Sequence, residues 1–185
     1  MPAQTHYHPG DAVDWPAVRE ALVGLLSDDS EAGRERAGTD YHWYSPVLAE
    51  ALRGKRPDLV VHPRSFDEVL RLAAVCARHR VPLTVRGGGT GHYGQCVPLF
   101  GGIGRDTGAL NRVLCIEPGW ALVEAGVLIF DLNQAAKPTG QQLRMWPSTE
   151  RIATVGGFNA GGHSGIGSIR HGILADPAMC AACAS

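Results

Sequence analysis

The sequence predicts a mixed α/β fold, and the order of its apolar patterns carries that prediction. A short apolar run at residues 59–61 is followed by an amphipathic helical pattern over 65–79 and a second β-rich run over 82–85. Further on, β-like runs at 113–117 and 121–127 are separated by a Pro-Gly pair that is typical of a tight turn. The first three elements predict a βαβ unit with parallel strands, and the last two predict a β-hairpin.

Length and composition restrict the class of protein. The chain has 185 residues, 44% of them hydrophobic, which is enough for a real core in one domain or slightly more. Its net charge is -1 without a basic block, which argues against nucleic acid or an anionic membrane as the main partner. No apolar run approaches the ~20 residues of a membrane span. Five scattered cysteines and an N-terminus without a signal-peptide pattern predict a cytoplasmic protein with reduced thiols.

The first 56 residues are predicted to be an N-terminal helical extension, and residues 57–185 the main domain. A helix is expected over 14–26, with Asp14 as its cap. An aromatic cluster follows, and packing against the domain is favoured over substrate contact for its members, which are Tyr41, Trp43, Tyr44 and Pro46. His6 and His8 near the terminus are expected to be solvated, so no metal site is predicted.

The helical pattern over residues 65–79 is the strongest in the chain. Ser65 and Glu68 fit a capping box, in which each side chain accepts a hydrogen bond from the other's backbone N–H. The residues at helical spacing are expected to form its buried face, namely Phe66, Val69, Leu70, Ala73 and Cys76. A later helix is expected over 129–137, where residues 138–140 (Pro-Thr-Gly) end it.

The stretch from Leu83 to Gly94 is the best candidate for chemistry. A β-rich run ends at Arg86 and leads into Gly87, Gly88 and Gly89, followed by Thr90 and Gly91. Glycine adopts positive φ at little cost and allows close approach, and successive N–H groups in such a turn can form an anion-binding nest. The turn is therefore a candidate phosphate cradle. A second glycine-rich region covers residues 153–167.

Two common nucleotide motifs fit these loops poorly. Residues 89–94 match G-x-G-x-x-G, but a dinucleotide-binding fold needs a helix to begin at the third glycine, and Pro98 with Gly101-Gly102 opposes one. Residues 157–164 nearly match a P-loop, but His163 stands where the phosphate-binding lysine is required. The remaining hypothesis is that both loops hold one long diphosphate cofactor.

Taken in order, the motifs resemble the PCMH-type FAD-binding domain of the vanillyl-alcohol-oxidase superfamily, in particular its branch of glycolate oxidase and D-lactate dehydrogenase. The resemblance covers residues 58–174. The stretches that carry it are Val61-His-Pro-Arg-Ser65, Pro82-Leu-Thr-Val-Arg-Gly-Gly-Gly-Thr-Gly91, Tyr93-Gly-Gln-Cys-Val-Pro98, Leu110-Asn-Arg-Val113, Val123-Glu-Ala-Gly-Val127, Pro147-Ser148, and Ala153-Thr-Val-Gly-Gly157 through Gly161-Gly162 to the end of Gly165-Ile-Gly-Ser-Ile-Arg-His-Gly172.

The resemblance implies an α+β fold of two subdomains, one with a small βαβ parallel sheet and one with a mostly antiparallel sheet, with FAD between them. It also implies a set of cofactor-binding residues: Arg86, Gly87, Gly88, Gly89, Thr90, Gly91, Pro147, Ser148, Thr154, Gly156, Gly157, Gly161, Gly162, Ser164 and Gly165. In relatives with covalent flavin, a histidine stands at the position of Thr90, so non-covalent FAD is expected here. His92, two residues later, is expected to be a loop histidine.

The implied function is an FAD-dependent oxidoreductase acting on a 2-hydroxy acid or similar alcohol, with hydride passing from substrate to FAD and an electron acceptor that is unknown. Two features depart from the family. Gly104, Arg105 and Asp106 are expected to weaken a strand, and the tail after Pro177 looks truncated, so the second subdomain is expected to be incomplete. Catalytic residues cannot be named. The alternative is an FAD-binding module without turnover, alone, as a homodimer or with a second polypeptide.

Overall fold

In the computed structural model, which describes residues 13–174, contacts divide the chain into two compact units. Unit 1 contains residues 13–86 and 91–106, and unit 2 contains residues 87–90 and 107–174. His6 and His8, and the tail after Pro177, lie outside the described residues. Within residues 13–174, no helix has the length and apolar character needed to cross a membrane.

Unit 1 contains a four-stranded sheet with helices. Its helices are α1 (Trp15–Ala21), α2 (Glu31–Ala37), α3 (Pro46–Ala51) and α4 (Phe66–His79), with a 3-10 turn at Tyr41–Tyr44. Its strands are β1 (Ser27–Asp28), β2 (Leu59–Val61), β3 (Leu83–Arg86) and β4 (Ile103–Asp106). The strand order is β1-β2-β4-β3, with β1 antiparallel and the other three mutually parallel. The βαβ prediction is confirmed, although β4 lies between the two predicted strands.

Strand β4 forms despite the residues that were expected to weaken it. It is paired on both sides, with Ile103 opposite both Leu59 and Leu83. Gly104 suits this position because a Cβ would lie 3.1 Å from Pro57 Cγ, which is a tight contact. The glycine therefore allows close packing over the sheet.

Two predictions for the helices of unit 1 need correction. Helix α1 begins at its predicted cap Asp14 but ends at Ala21, because Gly24 adopts φ +92°, which a right-handed helix does not allow. Helix α4 has the predicted bounds, but only part of the predicted face is inward: Cys76 is buried and Val69 is half-buried. Phe66 and Leu70 are 55% and 52% exposed, and Ala73 is exposed. The buried residues are Leu72, Val75 and Cys76, which join a core that includes Val18, Leu22, Leu59 and Ile103.

Unit 2 contains the predicted hairpin and a group of short helices. Strands β5 (Val113–Glu117) and β6 (Trp120–Val123) pair antiparallel, as expected. Helix α5 (Ile129–Ala136) is followed by a 3-10 turn (Lys137–Thr139), α6 (Val155–Gly161) and α7 (Ser168–His171). A small core is formed by Ile129, Met145, Ala153 and Phe158. The prediction of one parallel and one antiparallel sheet is therefore confirmed.

Candidate functional site

The predicted phosphate-binding turn, residues 87–90 (hereafter the phosphate turn), packs tightly within unit 2 against residues 152–157 of the second glycine-rich segment. A Cβ added to Gly87 would overlap Thr154 Oγ1, and a Cβ added to Gly88 would overlap the carbonyl oxygen of Ile152. Gly89 adopts φ +65°, which favours glycine. The structure thus brings residues 87–90 and 152–157 into direct contact.

The backbone of this turn offers a row of hydrogen-bond donors. Among the contacts made within residues 13–174, none uses the backbone N–H of Gly88, Gly89, Thr90 or Gly91 as a donor. The turn is half-buried, so these groups lie near the surface without being paired by secondary structure. Successive N–H groups in such a turn form an anion-binding concavity. This donor set fits the diphosphate of a dinucleotide.

The predicted residues at the start of α6 make local hydrogen bonds in the structure. Thr154 is buried, and its hydroxyl accepts a hydrogen bond from Gly157 N–H at 3.1 Å. The N–H of Val155 donates to Val127 O at 2.8 Å, and that of Gly156 donates to Ala125 O at 2.9 Å. These N–H donors are already used within unit 2, and residues 152–157 pack against the turn at Gly87 and Gly88. Cofactor contact by Thr154, Gly156 and Gly157 remains a prediction.

The other predicted residues of unit 2 lie on two neighbouring segments. Pro147 and Ser148 follow a bridge in which Trp146 and Ile166 exchange backbone hydrogen bonds of 3.2 and 2.8 Å. Gly165 is needed beside that bridge, because a Cβ there would lie 2.8 Å from the carbonyl carbon of Trp146. At the end of α6 and just beyond it, the chain is exposed at Gly161, Gly162 and Ser164. Their contact with a cofactor also remains a prediction.

The two residues that flank the turn belong to unit 1. The Arg86 guanidinium donates from NH1 to Thr39 O at 2.7 Å and lies 3.3 Å from Cys96 Sγ. Gly91 O accepts a hydrogen bond from Tyr41 N–H at 2.8 Å. Arg86 is therefore engaged with the backbone of its own unit, which the sequence analysis did not anticipate.

His92 belongs to an aromatic group at the surface of unit 1. Its ring centroid lies 5.4 Å from that of Tyr41 and 6.1 Å from that of Tyr44, and Tyr44 stacks on Trp43 at 3.9 Å. Trp43 and Tyr44 remain exposed. The aromatic residues therefore pack mainly on one another and on His92.

Asp40 is a buried carboxylate near the turn that the sequence motifs do not indicate. Its side chain is 0% exposed, and its Oδ1 lies 2.7 Å from both the backbone N and the Nδ1 of His42. Burial raises the pKa of the neighbouring Cys96 thiol, with Arg86 opposing the shift and Asp40 adding to it. The available signal was an acidic residue at the start of an aromatic run, but a surface cap has the same pattern.

Unit 2 also contains an open cavity of about 520 Å³. Its lining is mostly apolar and comes from β5, β6, α5, α6 and the segment 141–145, with Gln141, Arg144 and Asn159 as polar members. Near it, Leu114, Trp120 and Leu122 of the hairpin are exposed. Across residues 13–174, no group of three or more His, Cys, Asp or Glu side chains could hold a metal ion.

Comparison with known proteins decides the family. The sequence profile described as the FAD binding domain matches residues 57–179, which is most of the chain. The chain belongs to the FAD binding domain family. FAD is therefore its cofactor type, and the free N–H groups of residues 88–91 provide a donor set that fits it.

Relatives with curated names are much longer than this chain. Glycolate oxidase subunit GlcD of Bacillus subtilis is 32% identical over 165 residues, which are 86% of this chain and 33% of that protein. D-2-hydroxyglutarate dehydrogenase of Escherichia coli is 42% identical over 126 residues, 65% of this chain and 12% of that protein. The chain thus spans a third or less of these two relatives.

Solved structures confirm the fold. Alkyldihydroxyacetonephosphate synthase superposes with a TM-score of 0.75 at 25% identity, covering 85% of this chain and 34% of that one. p-Cresol methylhydroxylase superposes with a TM-score of 0.62 at 16% identity, covering 75% and 28%. The PCMH-type fold expected from the sequence motifs is therefore confirmed.

Proposed function

We propose that this chain is the flavin-binding part of an FAD-dependent oxidoreductase that oxidises the CH–OH group of a 2-hydroxy acid or similar alcohol. The row of N–H groups at residues 88–91, which find no partner within residues 13–174, carries the proposal because it matches a diphosphate. The relatives named for glycolate and D-2-hydroxyglutarate support the substrate class. The substrate is a small molecule, and the acceptor that reoxidises the flavin is unknown.

Each part of the site has a defined task in this proposal. The N–H groups of residues 88–91 bind the diphosphate, and Thr90 adds a hydroxyl. The segments at 147–148 and 161–165 orient the remainder of the cofactor. Bound FAD supplies the hydride acceptor for substrate oxidation. Binding is non-covalent, because Thr90 occupies the position at which related flavoproteins carry the attaching histidine, and a threonine hydroxyl does not provide that link.

FAD titration of the purified chain tests this proposal. Flavin fluorescence should saturate with added FAD, and yellow colour should remain after gel filtration and be released by denaturation. Gly88→Val with Gly89→Val should abolish binding, because a side chain at residue 88 overlaps the Ile152 carbonyl oxygen and valine strongly disfavours the φ of +65° at Gly89, so the turn cannot keep its shape. Gly54→Val is the matched control, since Gly54 has φ +72° with no atom within 4 Å of an added Cβ.

The control separates backbone strain from loss of the site. If Gly54→Val binds FAD normally and a turn variant that is still folded does not, the turn is the binding element. Normal binding by a folded turn variant would contradict the proposal.

A second function, an FAD-binding module without turnover, is favoured by the apolar surface of unit 2. The open cavity and the exposed Leu114, Trp120 and Leu122 leave apolar groups that a second copy or another polypeptide could cover. Reduction of an artificial acceptor dye in the presence of 2-hydroxy acids distinguishes the two functions. Dye reduction supports the enzyme, whereas FAD binding without dye reduction supports the module. A cytoplasmic location fits the unpaired thiols of Cys76, Cys96 and Cys115.

A further inference from the structure

Both residues that flank the phosphate turn are held by one short segment of unit 1, residues 39–42. At the start of the turn, Arg86 donates to Thr39 O at 2.7 Å. At its end, Gly91 O accepts from Tyr41 N–H at 2.8 Å. Two hydrogen bonds to adjacent parts of one segment fix the separation of the two ends of the turn. We call residues 39–42 the clasp.

The clasp is held in turn by the Asp40 carboxylate. Oδ1 accepts the backbone N–H of His42 and contacts His42 Nδ1, both at 2.7 Å. Oδ2 faces the Cys96 thiol, which lies 3.8 Å away and within 3.3 Å of the Arg86 guanidinium. Oδ2 is also 3.2 Å from the position that a Cβ on Gly91 would occupy. The carboxylate therefore lies at the centre of the contacts that reach both ends of the turn.

The burial of the Asp40 side chain restricts the conformations that it can adopt. A carboxylate with no exposed side-chain surface is costly unless it is hydrogen-bonded. Asp40 Oδ1 has the backbone N–H and the Nδ1 of His42 as partners, and Oδ2 faces the Cys96 thiol. Asp40 is therefore held in one conformation, and its hydrogen bonds hold residues 39–42 in the conformation that contacts Arg86 and Gly91.

We propose that Asp40 is a positioning residue for the turn that binds the cofactor diphosphate, acting through the clasp without touching the cofactor. Arg86 then links the clasp to the start of the turn through its hydrogen bond to Thr39 O, and the backbone N–H groups bind the phosphates. This inference rests on the proposed FAD binding, which it deepens.

The sign of one mutational effect distinguishes positioning from simple electrostatics. Asp40→Asn keeps an oxygen for the His42 N–H, but it places an amide N–H₂ where Oδ2 accepts from the Cys96 thiol, whose sulfur already accepts from Arg86. It also removes a negative charge near an anionic ligand, which by Coulomb's law alone would tighten FAD binding, most strongly at low salt. Positioning predicts the opposite, a Kd for FAD raised about tenfold.

The experiment compares FAD Kd values of the whole chain by flavin fluorescence at low and high salt. Asp67→Asn is the matched control, because it makes the same charge change at an exposed position of unit 1. We expect Asp40→Asn to weaken binding at both salt concentrations and Asp67→Asn to leave it within about twofold. Unchanged or tighter binding in folded Asp40→Asn would overturn the proposal.

Hydrogen exchange gives a readout that does not need FAD. The Tyr41 amide, which donates to Gly91 O, should be protected in the wild type and should exchange faster in Asp40→Asn. Should Asp40→Asn not fold, His42→Ala removes the Nδ1 contact alone, and it should give a smaller rise in both exchange and Kd. Equal exchange in all three chains would refute the clasp. A wild type that fails to bind FAD while the clasp responds as expected would instead refute the proposed function.

Discussion

The packing of the two glycine-rich segments can be tested by a double-mutant cycle at Gly87 and Thr154, which measures their coupling in the free energy of unfolding. Gly87→Ala places a methyl group on Thr154 Oγ1, which is fixed because it accepts the Gly157 N–H at 3.1 Å. The clash can be relieved by losing that cap, at a cost of about 1 kcal/mol, or by overpacking, at a cost of about 1 to 3 kcal/mol. We therefore expect Gly87→Ala to destabilise the chain by about 2 kcal/mol.

Removing the hydroxyl should rescue the alanine. Thr154→Ala alone loses the cap and costs about 1 kcal/mol, so additive effects would total about 3 kcal/mol. In the double variant the nearest remaining atoms to the new methyl group are Thr154 Cβ at 3.5 Å and Gly157 Cα at 3.6 Å, which are ordinary contacts. The double variant should therefore cost only about 1 kcal/mol, which is a coupling energy of about 2 kcal/mol. The entropic effect of replacing glycine cancels in the cycle.

Urea unfolding of the four chains, followed by circular dichroism, measures this coupling. Thr154→Val is the matched control, because it loses the cap but keeps a group of similar size where the hydroxyl was. Combined with Gly87→Ala, it should give no rescue. Additivity within about 0.5 kcal/mol in the alanine cycle, or equal rescue by valine, would show that the two segments are not in this contact.

Three further outcomes follow from individual contacts. Gly88→Ala should destabilise by about 3 kcal/mol in the same urea assay, and no side-chain change should rescue it, because its Cβ meets the backbone carbonyl of Ile152. Hydrogen bonds from Arg112 lower the pKa of Glu124 from its ordinary 4.5, so Glu124→Gln should lower the melting temperature at pH 7. The difference should shrink as the pH falls from 4.5 through the lowered pKa and vanish below it. Burial raises the pKa of Cys76 to about 11, so a chromogenic disulfide reagent at pH 8 should label wild type and Cys76→Ser equally until urea is added.

The order of elements could be predicted because it depends on local patterns. The Pro-Gly turn between β5 and β6 and the Ser65 cap of α4 are each contained within a few residues, and both form as expected. In the capping box, however, Glu68 accepts the N–H of Arg64 at 2.7 Å, one residue before the predicted partner. Such one-residue shifts depend on side-chain rotamers, which a spacing rule does not specify.

Predictions that depended on distant partners were less successful. Helix α4 carries two apolar stripes, and the sequence pattern does not say which one faces the sheet. Packing against α1 and the strands selects Leu72 and Val75, which leaves Phe66 and Leu70 exposed. Asp40 is a similar case, because its burial depends on Cys96 and Arg86, which lie about fifty residues away in the chain. Long-range packing is what a single sequence does not display.

The glycines of the phosphate turn have distinct physical roles, although the sequence shows them as one run. Gly87 and Gly88 are needed for packing because neighbouring atoms occupy the space of a Cβ, whereas Gly89 is needed for its positive φ. Gly91 combines a backbone contact to the clasp with limited space beside Asp40. Alanine at the first two positions should therefore reduce stability first, and alanine at Gly91 should weaken FAD binding through the clasp. Affinities compared at equal stability are needed to separate these roles, because any sufficiently unstable variant also loses its ligand.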